Sequence, residues 1–405
     1  MQTIDVVLWG AGNNCERNIG LLPEEWNKIA IVDQDSKKRG ESILNIPIIS
    51  IEELSSRVYD YIVITSSKYA DEIRDDIRNA GISMLKVIDG ARCNKVLTKE
   101  EHHEYFEKLI AKKNAQFGSE YTFENRKRDK SKLLYILAGY KLELWQDVSN
   151  RLKQFLPDDI DVCILSSGKY VEQLSKCAEK NEWSYLSTSV NDVAIIQNIV
   201  IKLFEKATYI FKMDEDIFTT RECFTKMYDT FLRAKDDGVE VGFVGPIIPL
   251  HTNGHLFLKQ FALEENYQKE IGVRCVPGGR WTNRGYATNP KIPEFLWSVG
   301  NIDELNKRLE KWNNTYIITP IKYAICFILF ERSLYEDMGG FNVVPETRSA
   351  GVNGDEGQIM EYCMHHCKCT VIASNTLCGH FSYPDQEKEM MRFKLENAPL
   401  FEIRG

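Results

Sequence analysis

Residues 208–218 read TYIFKMDEDIF, the most informative stretch of the sequence for both fold and site. Its first half, 208–213, is a short apolar run of the kind that forms a buried strand. Two aspartates, Asp214 and Asp216, follow at once, separated by a single glutamate. Side chains that follow a buried strand lie at the carboxyl edge of an α/β sheet, where such folds bind ligands. Because hard divalent cations prefer carboxylate oxygens, the stretch predicts a cation and ligand site at that edge.

Apolar runs and amphipathic stretches alternate on both sides of this stretch. That alternation favours parallel strand pairing, with helices packed on both faces of the sheet. From residue 132 onward, the predicted strands are 133–138, 161–165, 183–186, 208–213, 241–244 and 370–373. The predicted helices are 142–155, 171–180, 191–205 and 359–366. Residues 245–293 are rich in Gly, Pro and Asn, which predicts irregular structure there.

The first ninety residues show the same alternation. Their predicted strands are 4–9, 29–32, 61–65 and 84–88, with a helix at 69–80. We therefore expect a Rossmann-like parallel-sheet domain over residues 1–92 and a second α/β domain over residues 132–405. Residues 93–131 are strongly charged and run into the mostly basic ENRKRDKSK, which favours a charged helical linker. A length of 405 residues fits this division.

A glycine motif follows the first predicted strand. Gly10 and Gly12 have the spacing of a dinucleotide-binding turn, in which small residues let the backbone approach a pyrophosphate. Asp33 ends the next predicted strand, where an acid would contact a ribose hydroxyl. Cys15 stands in place of the third small residue of this fingerprint. Both a nucleotide site at Gly10, Gly12 and Asp33 and a purely architectural domain fit this pattern.

Three further motifs follow KMDEDIF in order: GGFN at 339–342, GDEGQI at 354–359 and GHF at 379–381. Over residues 131–383, this ordered set resembles glycosyltransferases of the GT-A fold. The likeness is greatest to the inverting family-2-type enzymes of bacterial polysaccharide biosynthesis. The N-terminal stretches GAGNNCERNIG, IAIVDQDSKKRG and IPIISIEEL resemble small Rossmann-like domains that precede sugar-modifying or polysaccharide-assembly enzymes. The resemblance implies an α/β chain in which a Rossmann-like domain precedes a GT-A domain.

The resemblance also implies a metal site and a catalytic base. Asp216 would bind Mn²⁺ or Mg²⁺, Asp214 would contact the ribose or a metal-bound water, and His380 would complete the coordination. A buried, hydrogen-bonded ring is the alternative for His380. Glu356 would be the catalytic base, with Asp355 as its acidic neighbour at a helix start. The alternative for this acid pair is that it caps the helix.

Four more residues are implied to contact the donor. Gly339 and Gly340 would let the chain pass close to the donor sugar, and Lys212 is a candidate phosphate contact. Ser167 stands where the family carries an acid that reads the nucleotide base. The expected donor is a nucleotide-sugar, with a UDP-sugar first. The expected acceptor is a hydroxyl of a glycan or lipid-linked sugar in surface polysaccharide synthesis. A retaining reaction stays open, because both stereochemical classes carry the D-x-D motif.

Two other classes of function compete with this interpretation. The glycine motif would suit an NAD-dependent nucleotide-sugar epimerase or dehydratase. Short-chain enzymes of that kind use a Tyr-x-x-x-Lys pair, and none of the 18 tyrosines here has a lysine four residues later. A non-catalytic scaffold of a polysaccharide assembly complex is the third class, and it would tolerate loss of the acidic motifs that this chain retains.

Composition limits the expected location and partners. The formal net charge of −8 argues against broad capture of nucleic acid. Eleven cysteines without a secretory signal at the start indicate reduced thiols in the cytoplasm. The apolar run 323–330 is far shorter than the roughly 20 residues of a membrane span, so we expect at most a peripheral contact through the basic run. One group has residue types that bind zinc but lacks the usual paired spacing: Cys363, His365, His366, Cys367 and Cys369.

Overall fold

The computed structural model describes residues 4–12, 15–22, 24–66, 69–89, 120–279, 282–283, 285–313, 315–341 and 354–404. These residues belong to two compact units, the first within residues 4–89 and the second within residues 120–404. Each unit has its own sheet. Within the described ranges, no helix is both long and apolar enough to cross a bilayer.

The first unit is built on a six-stranded sheet. Its strands are β1 (Ile4–Trp9), β2 (Trp26–Val32), β3 (Ser42–Ile43), β4 (Ile46–Ile49), β5 (Tyr61–Ile64) and β6 (Val87–Asp89). Its helices are α1 (Cys15–Leu21), α2 (Ile51–Leu54) and α3 (Ala70–Asn79). The spatial order is β3-β4-β2-β1-β5-β6, and all neighbours are parallel except β3 and β4. This parallel order confirms the predicted Rossmann-like sheet.

Strand β1 is buried on both faces. Val7 and Trp9 belong to one apolar cluster, whereas Val6 and Leu8 belong to another. Successive side chains of a strand point to opposite faces, so a strand covered on both sides needs the continuous apolar run found here. Residues 84–88 differ from their predicted strand, because Met84–Lys86 form a 3₁₀ turn before β6 begins.

The second unit is built on a nine-stranded mixed sheet. Its strands are β7 (Tyr121–Glu124), β8 (Lys132–Leu137), β9 (Ile160–Ser166), β10 (Ser184–Thr188), β11 (Tyr209–Asp214), β13 (Val241–Ile247), β14 (Tyr316–Thr319), β15 (Phe327–Glu331) and β16 (Cys369–Leu377). Two short strands, β12 (Ile217–Phe218) and β17 (Gly379–His380), form a separate antiparallel pair. The large sheet has the order β14-β16-β13-β15-β11-β8-β9-β10-β7. Strands β11, β8, β9 and β10 are parallel neighbours.

Helices connect these strands, as an α/β sequence pattern predicts. They are α4 (Trp145–Phe155), α5 (Glu172–Lys180), α6 (Val193–Leu203), α7 (Cys223–Asp236), α8 (Gly254–Gln260), α9 (Glu264–Ile271), α10 (Lys291–Ser298), α11 (Ile302–Lys307), α12 (Arg332–Asp337), α13 (Asp355–His365) and α14 (Glu387–Glu396). The α/β class is therefore confirmed for both units. The prediction of irregular structure over 245–293 was wrong in part, because α8, α9 and the start of α10 lie there.

The most apolar run of the sequence lies in the middle of the sheet. Strand β15 pairs antiparallel with β11 on one side and with β13 on the other. Phe327, Leu329 and Phe330 have no exposed surface. The run is therefore a core strand, which agrees with the expectation that it does not span a membrane.

The second sheet begins before residue 132. Strand β7 pairs antiparallel with β10, although its residues lie in the stretch predicted as a linker. The predicted linker residues 93–119 lie outside the described residues. The basic run after β7 also contacts its own unit, since Lys132 Nζ lies 2.6 Å from a carboxylate oxygen of Asp159 and Arg126 pairs with Glu124 at 3.0 Å. Part of the charge expected to face a linker or a lipid surface is therefore compensated within the unit.

The C-terminal segment is tied to the loop that follows β12. Arg151 is fully buried, and its guanidinium donates to the Asp303 carboxylate at 2.9 Å and to the carbonyl oxygen of Thr219 at 3.0 Å. The same guanidinium donates to the carbonyl oxygens of Phe401 and Glu402, both at 3.2 Å. This buried network fixes the chain just beyond the acidic stretch at 214–216.

Candidate functional site

A cavity of about 400 Å³ opens beside the carboxyl ends of β8, β9 and β11. This is the edge at which parallel α/β sheets bind their ligands. The cavity brings together the predicted site residues Ser167, Lys212, Asp214, Asp216, Asp355, Glu356 and His380. Its described lining does not include Gly339 or Gly340.

Asp214 forms an ion pair with a lysine of its own strand. Lys212 and Asp214 are two residues apart on β11, so their side chains lie on the same face, and Nζ is 2.7 Å from Oδ1. Burial acts to lower the pKa of Lys212, but the carboxylates of Asp214 and Asp355 outweigh this effect and raise it. Burial raises the pKa of Asp214, although the Lys212 ammonium opposes the increase.

Asp216 is contacted by two nitrogen atoms. Its Oδ2 accepts a hydrogen bond from Lys141 Nζ at 2.6 Å and lies 3.3 Å from His380 Nε2. Burial acts to raise the pKa of Asp216, but the His380 ring and the Lys141 ammonium hold this pKa well below its ordinary value. Asp216 is therefore an ionised carboxylate with a cationic partner.

Strand pairing explains why His380 lies near Asp216. Ile217 of β12 pairs with His380 of β17, and the Phe381 N–H donates to the Asp216 carbonyl oxygen at 3.1 Å. The other ring nitrogen of His380, Nδ1, lies 3.0 Å from the Leu250 carbonyl oxygen. A carbonyl oxygen only accepts hydrogen bonds, so Nδ1 carries a proton.

Glu215, the middle residue of the acidic triplet, has a structural role. It is 7% exposed, and its carboxylate accepts the backbone N–H groups of Gly139 at 2.7 Å and Tyr140 at 2.8 Å. Burial raises the pKa of Glu215, while these hydrogen bonds act to lower it. The contacts fix the turn after β8 and so position the next residue, Lys141. The sequence analysis assigned no role to Glu215 or Lys141. The only indication in the sequence was that Lys141 comes shortly after the predicted strand 133–138.

Asp355 is held at the start of α13. Its Oδ1 accepts the Glu356 N–H at 2.9 Å, and its Oδ2 accepts a hydrogen bond from Gln197 Nε2 at 2.9 Å. Gln197 is itself oriented, because its Oε1 accepts the buried Tyr135 hydroxyl at 2.6 Å. Both Asp355 oxygens are therefore engaged with the protein.

Glu356 is the more available carboxylate of the pair. Its Oε1 lies 2.8 Å from Lys322 Nζ, and its side chain is 24% exposed at the cavity wall. A carboxylate at a helix N-terminus is stabilised by the helix dipole. Glu356 combines this stabilisation with access to the cavity, which suits a group that accepts a proton from a ligand.

The predicted cation ligands already have partners within the protein. Within the described ranges, no three His, Cys, Asp or Glu side chains are close enough to hold a metal ion. Asp216 and His380 are in contact, but Lys141 donates to the same oxygen of Asp216, and Asp214 is paired with Lys212. In this arrangement, the three residues do not fit a bound Mn²⁺ or Mg²⁺. The cation stays a prediction from the sequence.

The two glycines of the GGFN motif form a turn after α12. Gly339 has φ +67° and Gly340 has φ +78°, a left-handed conformation that glycine adopts readily. A Cβ at Gly340 would lie 3.0 Å from the Tyr335 hydroxyl and 3.2 Å from Asn198 Oδ1. Gln358 Nε2 also donates to the Gly340 carbonyl oxygen at 2.9 Å. The positive φ angles of the turn explain why glycine stands at both positions, without any contact to a donor.

The cavity wall also carries an exposed aromatic ring, that of Tyr140. The Tyr140 hydroxyl donates to the Ser167 carbonyl oxygen at 2.9 Å and lies 3.0 Å from Asn191 Oδ1. Tyr140 is 57% exposed. Lys169 Nζ lies 3.9 Å from the centroid of the Tyr140 ring. This wall combines a flat ring with hydrogen-bonding groups.

The acid of the glycine motif in the first unit, Asp33, is bound by neighbouring residues of the same unit. The Ala11 N–H donates to Asp33 Oδ2 at 2.6 Å, the Asp35 N–H donates to Asp33 Oδ1 at 2.9 Å, and Lys38 Nζ lies 3.2 Å from Asp33. Burial acts to raise the pKa of Asp33, but these contacts lower it overall. Gly10 has φ +107°, which explains glycine there. Both oxygens of Asp33 therefore already accept hydrogen bonds from the protein. A nucleotide site at Gly10, Gly12 and Asp33 remains a prediction.

Comparison with known proteins gives limited similarity. The family described as "C2185-like, N-terminal" matches residues 3–88, and no curated protein matches the chain. Among solved structures, the chain is similar to the mannosyltransferase PcManGT from Pyrobaculum calidifontis in complex with GDP-Man and Mn²⁺. The identity is 12% over 74% of this chain and 71% of that chain, with a TM-score of 0.37. It is also similar to S. aureus TarS, with 14% identity over 65% of this chain and 39% of that chain and a TM-score of 0.34.

Proposed function

We propose that the second unit is a glycosyltransferase that moves a sugar from a nucleotide-diphosphate donor to a hydroxyl group of an acceptor. One observation carries this proposal: a single cavity contains Asp216 with its nitrogen partners and, separately, the acid pair at the start of α13. The first cluster suits the leaving nucleotide diphosphate. The second suits the hydroxyl that must lose a proton.

The proposed reaction inverts the anomeric carbon. The acceptor oxygen forms a bond to this carbon while the bond from the carbon to the phosphate oxygen breaks on the opposite face. The nucleoside diphosphate takes the bonding electrons, and the hydroxyl proton passes to a carboxylate acting as general base. We assign this base to Glu356, because Asp355 uses both oxygens in hydrogen bonds with Glu356 and Gln197.

Recognition of the nucleotide is assigned to the wall that contains Tyr140. Its exposed ring can stack on a base, and the groups around Ser167 and Asn191 can hydrogen-bond the base edge. Lys212 lies deeper, paired with Asp214, and contributes positive charge. A UDP-sugar is the first donor to test. The acceptor class, a glycan or lipid-linked sugar of a surface polysaccharide, and a cytoplasmic, membrane-peripheral location are proposed with it.

The test is release of nucleoside diphosphate from a panel of UDP-, GDP-, ADP- and dTDP-sugars by the purified full chain. Simple sugars, lipid-linked sugars and water serve as acceptors, with and without Mn²⁺. We expect one sugar class to be turned over and Asp216→Ala to abolish turnover. The matched control is Asp229→Ala, because Asp229 is an exposed acid on α7 outside the cavity lining. Absence of release from every donor, or undiminished release by Asp216→Ala, would contradict the proposal.

A further inference from the structure

We propose that Lys141 holds the diphosphate of the donor, and that its ammonium places one positive charge at Asp216, where the sequence predicts a divalent cation. This inference rests on the proposed function and adds a diphosphate-binding residue that the sequence motifs did not indicate. It starts from the disagreement between the predicted cation ligands and their actual partners.

The first observation is the position of the ammonium. Lys141 Nζ lies 2.6 Å from Asp216 Oδ2 and donates to the Ser382 carbonyl oxygen at 3.1 Å. Glu387 is farther away, at 3.9 Å. An ammonium has three N–H donors, and these two hydrogen bonds use two of them. Lys141 lines the cavity, so the third donor is available to a ligand there.

The second observation is an unsatisfied hydroxyl on Ser382, the residue whose carbonyl oxygen accepts a hydrogen bond from this ammonium. Ser382 has no exposed surface and lines the cavity, and its Oγ has no hydrogen-bond partner among the described residues. A buried hydroxyl without a partner is costly, so a ligand acceptor is expected to satisfy it. A phosphate oxygen is such an acceptor. The ammonium and the hydroxyl are joined through one residue, because the Ser382 carbonyl oxygen already binds Lys141.

The third observation is that three of the carboxylates lining the cavity are paired with lysines. Asp214, Asp216 and Glu356 each have a lysine within 2.8 Å, namely Lys212, Lys141 and Lys322, respectively. An acidic cavity would repel a diphosphate, whereas paired carboxylates reduce that repulsion. Of these three lysines, Lys141 is the one that binds the residue carrying the unpartnered hydroxyl. Burial acts to lower the pKa of Lys141, but Asp216 outweighs burial and raises this pKa, so the ammonium stays charged at neutral pH.

The test measures UDP and GDP affinity of the full chain by calorimetry in EDTA and, separately, in Mn²⁺. We expect the wild-type protein to bind at least one of these in EDTA. Lys141→Met should weaken binding by at least about tenfold, the loss of one charge-assisted hydrogen bond. Lys141→Arg, which keeps the charge, should retain most of the affinity. The matched control is Lys394→Met, because Lys394 makes an ion pair of the same 2.6 Å length with Asp147 outside the cavity lining.

Ser382→Ala tests the same pocket without breaking the ion pair, and we expect it to weaken binding by about tenfold. Unchanged affinity in folded Lys141→Met or Ser382→Ala would overturn the inference. Binding that requires Mn²⁺ and is insensitive to Lys141 would also overturn it, while leaving the glycosyltransferase proposal intact. The opposite result, UDP binding that depends on Lys141 with no turnover of any sugar donor, would reject the glycosyltransferase proposal and keep the diphosphate site.

Discussion

His380 Nε2 lies 3.3 Å from Asp216 Oδ2, although 164 residues separate them in the chain, because β12 and β17 form a two-residue antiparallel ladder. The ladder fixes the backbone positions that bring these two side chains together. The second nitrogen partner of this oxygen, Lys141 Nζ, is positioned by Glu215, which fixes the turn that carries Lys141. The acidic stretch 214–216 therefore both positions a neighbouring turn, through Glu215, and supplies side chains to the cavity.

The first prediction concerns acid stability. The pKa of Asp216 is lowered in the folded protein, so its stabilising effect is complete above the ordinary aspartate pKa of about 4 and is lost as the pH falls below that value. The difference in free energy of unfolding between wild type and Asp216→Asn should therefore shrink from about pH 4 to about pH 2. Urea denaturation at a series of pH values measures it. The exposed Asp229→Asn variant should show no such trend, and a pH-independent difference for Asp216→Asn would contradict the expectation.

The second prediction separates the two acids of α13. Glu356→Gln should lower turnover by about 10²–10⁴-fold, the usual contribution of a general base, while UDP affinity stays near that of the wild type. Asp355→Asn should have a smaller effect, because Asp355 is bound to Gln197 and to the Glu356 N–H. Single-turnover rates and calorimetry measure the two quantities. Glu361→Gln, at an exposed position of the same helix, is the control. A larger loss in Asp355→Asn would move the base to Asp355.

Local periodicity was sufficient for much of the fold. The strand at 208–213 was predicted within one residue of β11, and the acids after it do line a cavity, because the side chains after parallel strands meet at one edge. Helices α8 and α9 were missed in the Gly- and Pro-rich stretch. They have only seven and eight residues, too few for a helical period to outweigh the turn residues around them.

The partners of the site residues could not be read from the sequence. Lys141 and Asp216 are 75 residues apart and meet only because β8 and β11 are neighbours in the sheet. Each aspartate of the D-x-D motif also has a lysine partner in the structure, so the motif by itself does not indicate a bound cation. A motif predicts which residue types stand at an edge, whereas the charges that reach them from other strands depend on topology.

The third prediction concerns the turn after α12. Gly340→Ala should destabilise the protein by about 1–3 kcal/mol, because alanine is strained at a positive φ. The new Cβ would also lie 3.0 Å from the Tyr335 hydroxyl. Gly339→Ala has a similar φ with no atom within 4 Å of the new Cβ, so it should show the backbone strain alone. Urea denaturation compares the two variants. Equal losses would show that the contact with Tyr335 has no effect.

The fourth prediction concerns the buried pair of Arg151 and Asp303. Both side chains are almost fully buried, and the guanidinium also binds the carbonyl oxygen of Thr219 beyond the acidic stretch. Arg151→Met should destabilise the protein by about 3–5 kcal/mol, because it leaves the Asp303 carboxylate buried without its cation. Chemical denaturation followed by tryptophan fluorescence measures the change in free energy of unfolding.

The matched control is the exposed pair of Arg404 and Glu304, whose atoms approach to 2.8 Å. Arg404→Met should cost at most about 1 kcal/mol, because water screens an exposed pair. The double variant Arg151→Met with Asp303→Leu should recover part of the loss, since no unpaired charge is then buried. A loss in Arg151→Met no larger than in Arg404→Met would mean that the C-terminal segment is held by its apolar contacts, and that the charge network does not fix the chain beyond Asp216.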